Sequence, residues 1–162
     1  MRILLFLAIL IWNNISFAHE ISSCMCDEGC FTDEVSNLKC SSKSVSFNSN
    51  GLPDVSHTIM EGIVATNQQF PRVHQYEYGI TRNPKKAKQP TSTDTGAIGV
   101  AVNGVPIFDP FTQGPLNPKT GKRPNTLHQG ELDHCGGHAG RGDDYHYHIA
   151  PRCLIEELGE AY

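Results

Sequence analysis

The chain has 162 residues, with 13 Lys plus Arg, 17 Asp plus Glu, 8 His and 6 Cys, and a formal net charge of −4. That length fits one domain with a small core, and the acidic balance argues against a nucleic-acid partner. A charged fraction of 19% with no long like-charge block argues against wholesale disorder, and 15 Gly with 10 Pro favour turns and short strands over long helices.

Met1 to Ala18 (residues 1–18) reads as a secretory signal peptide. Arg2 supplies the basic start, Ile3 to Trp12 is an unbroken apolar run, and Ser16-Phe17-Ala18 places small residues where a signal peptidase cuts. The run is too short to span a bilayer, so the expected product is secreted, extracellular and free of the membrane after cleavage. A mature terminus at His19 would offer an amino group and a ring to copper. All six cysteines follow Ala18, in two groups: Cys24, Cys26, Cys30 and Cys40, then Cys135 and Cys153. An oxidising compartment favours disulfides over a zinc site among the first four, whose spacing matches no common zinc module. The pairing expected is Cys135 with Cys153, and the first four among themselves.

Residues 19–44 are polar, dense in cysteine and without a clear period, and are expected to form a stapled N-terminal extension. Residues 45–162 are expected to form the domain proper. Val45 and Phe47 open an alternating strand that ends in the turn Asn48 to Gly51. Thr58 to Ala65 is apolar enough for a strand with a bulge at Gly62. Tyr76, Tyr78 and Ile80 alternate as a half-buried strand. Residues 82–95 are basic, contain Pro and are low in apolar residues, so they read as an exposed loop rather than a nuclear-localisation signal. Ile98 to Val102 is the most strand-like run, followed by an Asn103-Gly104 turn and Val105 to Phe108. Phe111 to Leu127, rich in Gly and Pro, ends the strand pattern. Helical periodicity is confined to Cys153 to Leu158. The fold expected is mainly β: short antiparallel strands joined by long Gly/Pro-rich loops, plus the cysteine-rich N-terminal extension.

The chemistry is concentrated between His128 and His148, which include five of the eight histidines together with Glu131, Asp133, Asp143 and Asp144. In Tyr145-His146-Tyr147-His148 two residue types alternate. On a strand the histidines share one face and the tyrosines the other, and side chains two apart lie about 6.5–7 Å apart along the strand, within reach of one metal ion. The Gly-rich stretch Gly136 to Gly142 lets the chain fold back and bring His138 to the pair. Asp133 is the next candidate, as a fourth ligand or a group that orients a ligand ring; Glu131 and His134 are others. Imidazole-rich sites suit zinc or copper over calcium or magnesium. A hydrogen-bonded cluster of His, Asp and Tyr is the structural alternative. Arg141-Gly142-Asp143 spells an integrin-binding tripeptide, though its glycines and carboxylate also serve the loop.

The segment Glu131 to Pro151, with Cys-Gly-Gly-His-Ala-Gly-Arg-Gly-Asp-Asp-Tyr-His-Tyr-His at its centre, resembles the signature of the YHYH-domain family. Gly99 to Pro110 (GVAVNGVPIFDP) is similar to that family's second hallmark. The resemblance covers about Asn50 to Cys153. It implies a secreted or cell-envelope, mostly β domain, and it supplies no established activity. Family domains continue into a further Asp-Gly-x-Pro-Ile-Tyr-Gly element, which is absent before Tyr162, so the resemblance implies a truncated form or a fragment.

Three functions stay open. One is a secreted metal-binding domain with His138, His146, His148 and Asp133 around zinc or copper. The second is a metal-dependent hydrolase, with Glu131, Asp143 or Asp144 as general base to a metal-bound water. The third is a structural or adhesion module without metal. The sequence names no substrate or protein partner.

Overall fold

The computed structural model describes residues 26, 28–66 and 69–159. The expected signal peptide, His19 and Cys24 lie outside the described residues. Eight-tenths of the chain is thus visible as two small sheets, long loops and one short helix.

The first sheet has three antiparallel strands in the order β1-β2-β3: β1 Val35–Cys40, β2 Ser44–Ser49 and β3 Tyr76–Thr81. Strand β2 shows the expected alternation, with Val45, Phe47 and Ser49 buried and Ser46 and Asn48 half-exposed. Phe47 packs between Phe31 and Tyr78, with ring centroids 4.9 and 5.2 Å away. Strand β1 was not legible in the sequence. Asn37 takes a left-handed φ of 54°, and the pairing shifts register between Ser36 and Lys39, so no period of two survives. Because β1 pairs with β2, this hairpin runs across the expected border at residues 44 and 45. The disulfide Cys26–Cys40 ties the preceding segment to the end of β1, and Cys30 is disulfide-bonded as well.

The second sheet orders its strands β4-β5-β7-β6: β4 Gly99–Val100, β5 Pro106–Ile107, β6 Gly137–Ala139 and β7 Tyr145–Tyr147. All pairs are antiparallel except β5 with β7, which is parallel and departs from the antiparallel expectation. Strand β4 is shorter than expected because a turn closes at Ala101, which accepts from Gly104 N–H (2.9 Å) and donates to Val105 O (2.9 Å). The helix α1, Arg152–Glu157, follows β7 and buries Leu154.

Thr58 to Ala65 forms no strand. Met60 and Gly62 have φ of 67° and 80°, which turn the chain twice. Its backbone groups go instead to the His-rich segment: Val64 and Ala65 N–H donate to Gly130 O, and Glu61 O accepts from His134 N–H. The segment is therefore a strap across the functional region. Between strap, sheet and helix lies the core, Ala101, Val105, Tyr145, Tyr147 and Leu154, flanked by Leu52, Ile59, Met60, Val102 and Ile107. Among the described residues no helix is long and apolar enough to cross a membrane.

Candidate metal centre

Register builds the site. In the β6–β7 pair His138 stands directly opposite His146. His148 follows two residues later on the same side, where its N–H donates to Gly136 O (3.1 Å). The turn between the strands is tight: Asp143 takes a left-handed φ of 57°, and the carboxylate of Asp144 tucks beneath Gly140 and Gly142, where added Cβ atoms would lie 2.8 and 3.3 Å from Oδ1. The tyrosines point the other way. Tyr145 and Tyr147 are fully buried, with rings 5.6 Å apart, and Tyr147 Oη accepts from Asn103 Nδ2 (3.1 Å). Both faces of β7 are covered, so His146 and His148 are themselves only 4% and 6% exposed.

Each ring is fixed by its δ nitrogen. His138 Nδ1 lies 3.1 Å from the Glu131 carbonyl. His146 Nδ1 lies 2.9 Å from the Asp144 carbonyl and 3.5 Å from that residue's carboxylate. His148 Nδ1 is hydrogen-bonded to the Asp109 carbonyl. A carbonyl can only accept, so all three δ nitrogens carry the proton and all three ε nitrogens of the neutral rings are bare. Those bare nitrogens face one another. Nε2 of His148 is 3.1 Å from that of His146 and 3.2 Å from that of His138. Between two unprotonated nitrogens there is no hydrogen bond, only facing lone pairs, which a cation would reconcile.

A proton is the poorer choice. Burial, with His146 and His148 beside it, lowers His138 to a pKa of about 4. Burial also lowers His148 to about 4, against the opposing pull of the Asp109 carbonyl. A metal ion fits better. With metal–nitrogen bonds of about 2.0–2.1 Å, a tetrahedral ion holds its ligand nitrogens about 3.3–3.4 Å apart. The three ligand atoms lie within 4.8 Å of one another.

The supporting shell is built in the same way. Asp109 is held through its side chain, which takes an ion pair from Arg123 and a hydrogen bond from Phe111 N–H (3.2 Å). Its carbonyl is thereby aimed at His148. Phe108 stacks on His146, with centroids 4.1 Å apart and planes at 24°. Sequence reasoning assigned no role to Asp109, Arg123 or Phe108. The signal was the Ile-Phe-Asp-Pro run at residues 107–110, whose position beside β7 depends on a parallel pairing that sequence alone does not disclose.

Asp133 lies elsewhere. It is buried, and its Oδ2 accepts from Met60 N–H (2.8 Å) and Tyr145 Oη–H (2.7 Å) while its Oδ1 accepts from Gly137 N–H (3.0 Å). It serves the tyrosine face of β7 and the strap, and it is not in the trio of ring nitrogens. Cys135 and Cys153 form a disulfide that joins the start of the glycine-rich loop to α1. His134, exposed, sits beside it with Nε2 3.6 Å from Cys135 Sγ. Asp143 pairs with Arg72 (2.9 Å), so the carboxylate of the Arg-Gly-Asp tripeptide is engaged within the fold.

The trio forms one wall of a cleft of about 340 Å³, which Phe108, Thr112, Glu131, Arg141 and Asp144 also line. Burial raises the Glu131 carboxyl above the usual range. The hydrogen bond from His146 holds Asp144 below it.

No curated protein and no solved structure matches the chain. The family model described as YHYH protein matches residues 77–161, more than half of the length, and includes every member of the trio. With Tyr145 to Tyr147 on β7, His148 just past it, and β4 and β5 within the matched span, the chain belongs to the YHYH protein family.

Proposed function

We propose that the chain is a secreted metal-binding protein that holds one zinc or copper ion through Nε2 of His138, His146 and His148. The observation that carries this reading is the convergence of three bare ring nitrogens at 3.1–3.2 Å, each fixed by a proton on the opposite nitrogen. Ligand histidines ordinarily donate the other N–H to a carbonyl or carboxylate, and all three do so here. The donor set is nitrogen alone, with no carboxylate oxygen in the trio, which suits zinc and copper and not calcium or magnesium. Paired cysteines fit an oxidising, extracellular setting.

The cleft favours a second reading, metal-dependent hydrolysis. Zinc held by the three rings, which line the cleft, would acidify a water bound to it toward a pKa of about 7. Of the three carboxylates weighed as general base, Asp143 is paired with Arg72 and Asp144 with His146, which leaves Glu131 as the available one.

The test is elemental analysis of untagged protein beside the His146→Ala/His148→Ala variant. One equivalent of zinc or copper, absent from the variant, is the expected result. A well-folded protein without metal overturns the reading and leaves the histidines as a scaffold. A substrate panel run on the loaded protein then separates binding from hydrolysis.

A further inference from the structure

We propose that the end of the three-stranded sheet made by the β1–β2 turn and the loop after β3 is a binding surface for an anionic polysaccharide. The two segments are joined by hydrogen bonds. Arg82 N–H donates to Lys43 O (3.0 Å), Arg82 Nη1 to Ser41 O (3.1 Å) and Asn83 Nδ2 to Ser42 O (3.4 Å). This brings Lys43 beside Arg82, and Lys85, Lys86 and Lys88 follow within six residues along the same loop; the four lysines are exposed.

The charge distribution singles this end out. Neither segment has a carboxylate near it in sequence: residues 35–50 contain none, and none occurs between Glu77 and Asp94. The chain as a whole has a formal charge of −4. With five cations gathered here, the remainder holds 8 basic against 17 acidic side chains, a charge of −9. Such an asymmetry steers a polyanion to one end and repels it from the rest.

The uncharged residues choose among polyanions. Apart from its prolines, the loop from Arg82 to Thr95 contains Ala87 as its only apolar side chain, and it has no aromatic residue. Firm binding adds inserted Trp, Phe or Leu to the cations on a lipid surface and stacked aromatics on single-stranded nucleic acid; the loop has neither. Lysines on an exposed loop, interspersed with Asn, Gln, Ser and Thr, suit sulfate or carboxylate groups spaced along a hydrated sugar chain. The paired cysteines fit a compartment where such polysaccharides are found.

The Lys43–Arg82 end is the end of β3 away from the metal cleft, whereas the far end of the loop returns toward it, with Thr93 Oγ1 donating to Asp109 Oδ2 (3.3 Å). Tyr76 begins β3, and its hydroxyl is raised by burial and then by the nearby charge of Asp144, which lines the cleft. The basic end lies past Thr81, six strand residues on, about 17 Å away along the strand.

Chromatography on immobilised heparin tests this, with polygalacturonate as a carboxylate probe. The wild type should be retained at 0.1 M NaCl and elute as salt rises. The exposed-loop variant K85Q/K86Q/K88Q, checked for folding by circular dichroism, should bind at least about tenfold more weakly. K119Q/K122Q, which removes charge from an exposed loop elsewhere, should be retained like the wild type. Failure of the wild type to bind either probe overturns the proposal. So does equal weakening in K119Q/K122Q, or tighter binding to phosphatidylserine vesicles or single-stranded DNA than to heparin at the same salt.

Discussion

Asp133 separates a ligand from a structural hub, and its substitution tests the geometry most directly. The carboxylate accepts three hydrogen bonds in a buried setting, from Met60 N–H, Gly137 N–H and Tyr145 Oη–H. In Asp133→Asn the amide oxygen can take the place of Oδ2 and keep Met60 and Tyr145. The amide NH2 then faces Gly137 N–H, and one buried donor loses its acceptor. That costs about 1–3 kcal/mol. Asp133→Ala strands all three donors and costs about 3–6 kcal/mol, against a total stability of about 5–15 kcal/mol for a domain of this size. Urea unfolding of the metal-free proteins at pH 7 measures both. Metal content is then read on the folded Asn variant, which should still take up one equivalent because Asp133 is outside the trio. An Asn variant as stable as the wild type yet unable to hold metal would refute the hub and restore Asp133 as a ligand.

The remaining predictions concern the same region. Metal-free protein should lose stability as pH falls from about 6.5 toward 4, because His138 and His148 stay neutral down to about 4 when folded while the unfolded chain takes up their protons earlier. Each contributes at most about 1.4 kcal/mol per pH unit, and a melting temperature that does not change from pH 7.5 to 4.5 would contradict the burial argument. Gly137→Ala should destroy the β6–β7 pair, since its Cβ would stand 2.6 Å from the His146 carbonyl oxygen and 2.7 Å from Tyr145 Oη; native-like circular dichroism and metal uptake in this variant would be the contrary result. Removing the Cys135–Cys153 disulfide, which closes an 18-residue separation, should cost about 3 kcal/mol in a denaturant titration of the double Ala variant. Arg123→Met removes the ion pair from the Asp109 carboxylate, leaving Phe111 N–H and Thr93 Oγ1 to hold it, and loosens the carbonyl that orients His148; metal affinity by competition titration should fall about 10–100-fold with all three ring nitrogens intact.

What the sequence made legible follows from where local pattern and tertiary packing agree. Strands β2 and β7 were readable because each buries alternate side chains against a different layer, as Val45 and Phe47 do. The face shared by His146 and His148 followed from the period of two alone. Strand β1 was hidden by the bulge at Asn37, and the strap was mistaken for a strand because apolar Ile59, Met60, Ile63 and Val64 do not reveal that Met60 and Gly62 turn left-handed. The placement of Asp133 required knowledge of where Tyr145 Oη points. The aim of the Asp109 carbonyl required the parallel pairing of β5 with β7, a contact across 40 residues that no local pattern encodes.

For the proposed metal site, uptake and folding would be coupled. The three rings are oriented by carbonyls of Glu131, Asp144 and Asp109 before any ion arrives, so little side-chain freedom remains to be lost on binding. The cost is incurred earlier, in folding, as three facing lone pairs in a buried place. A loaded protein should therefore be more stable than the metal-free one by RT ln(1 + [M]/Kd), where [M] is the free metal concentration, about 2.7 kcal/mol at one hundred times Kd. The strap hydrogen bonds, the disulfide and the Asp133 hub all hold the glycine-rich loop that presents His138. Weakening any of them should lower the stability of the loaded protein at least as much as that of the metal-free one, since a looser loop presents His138 less well and raises Kd.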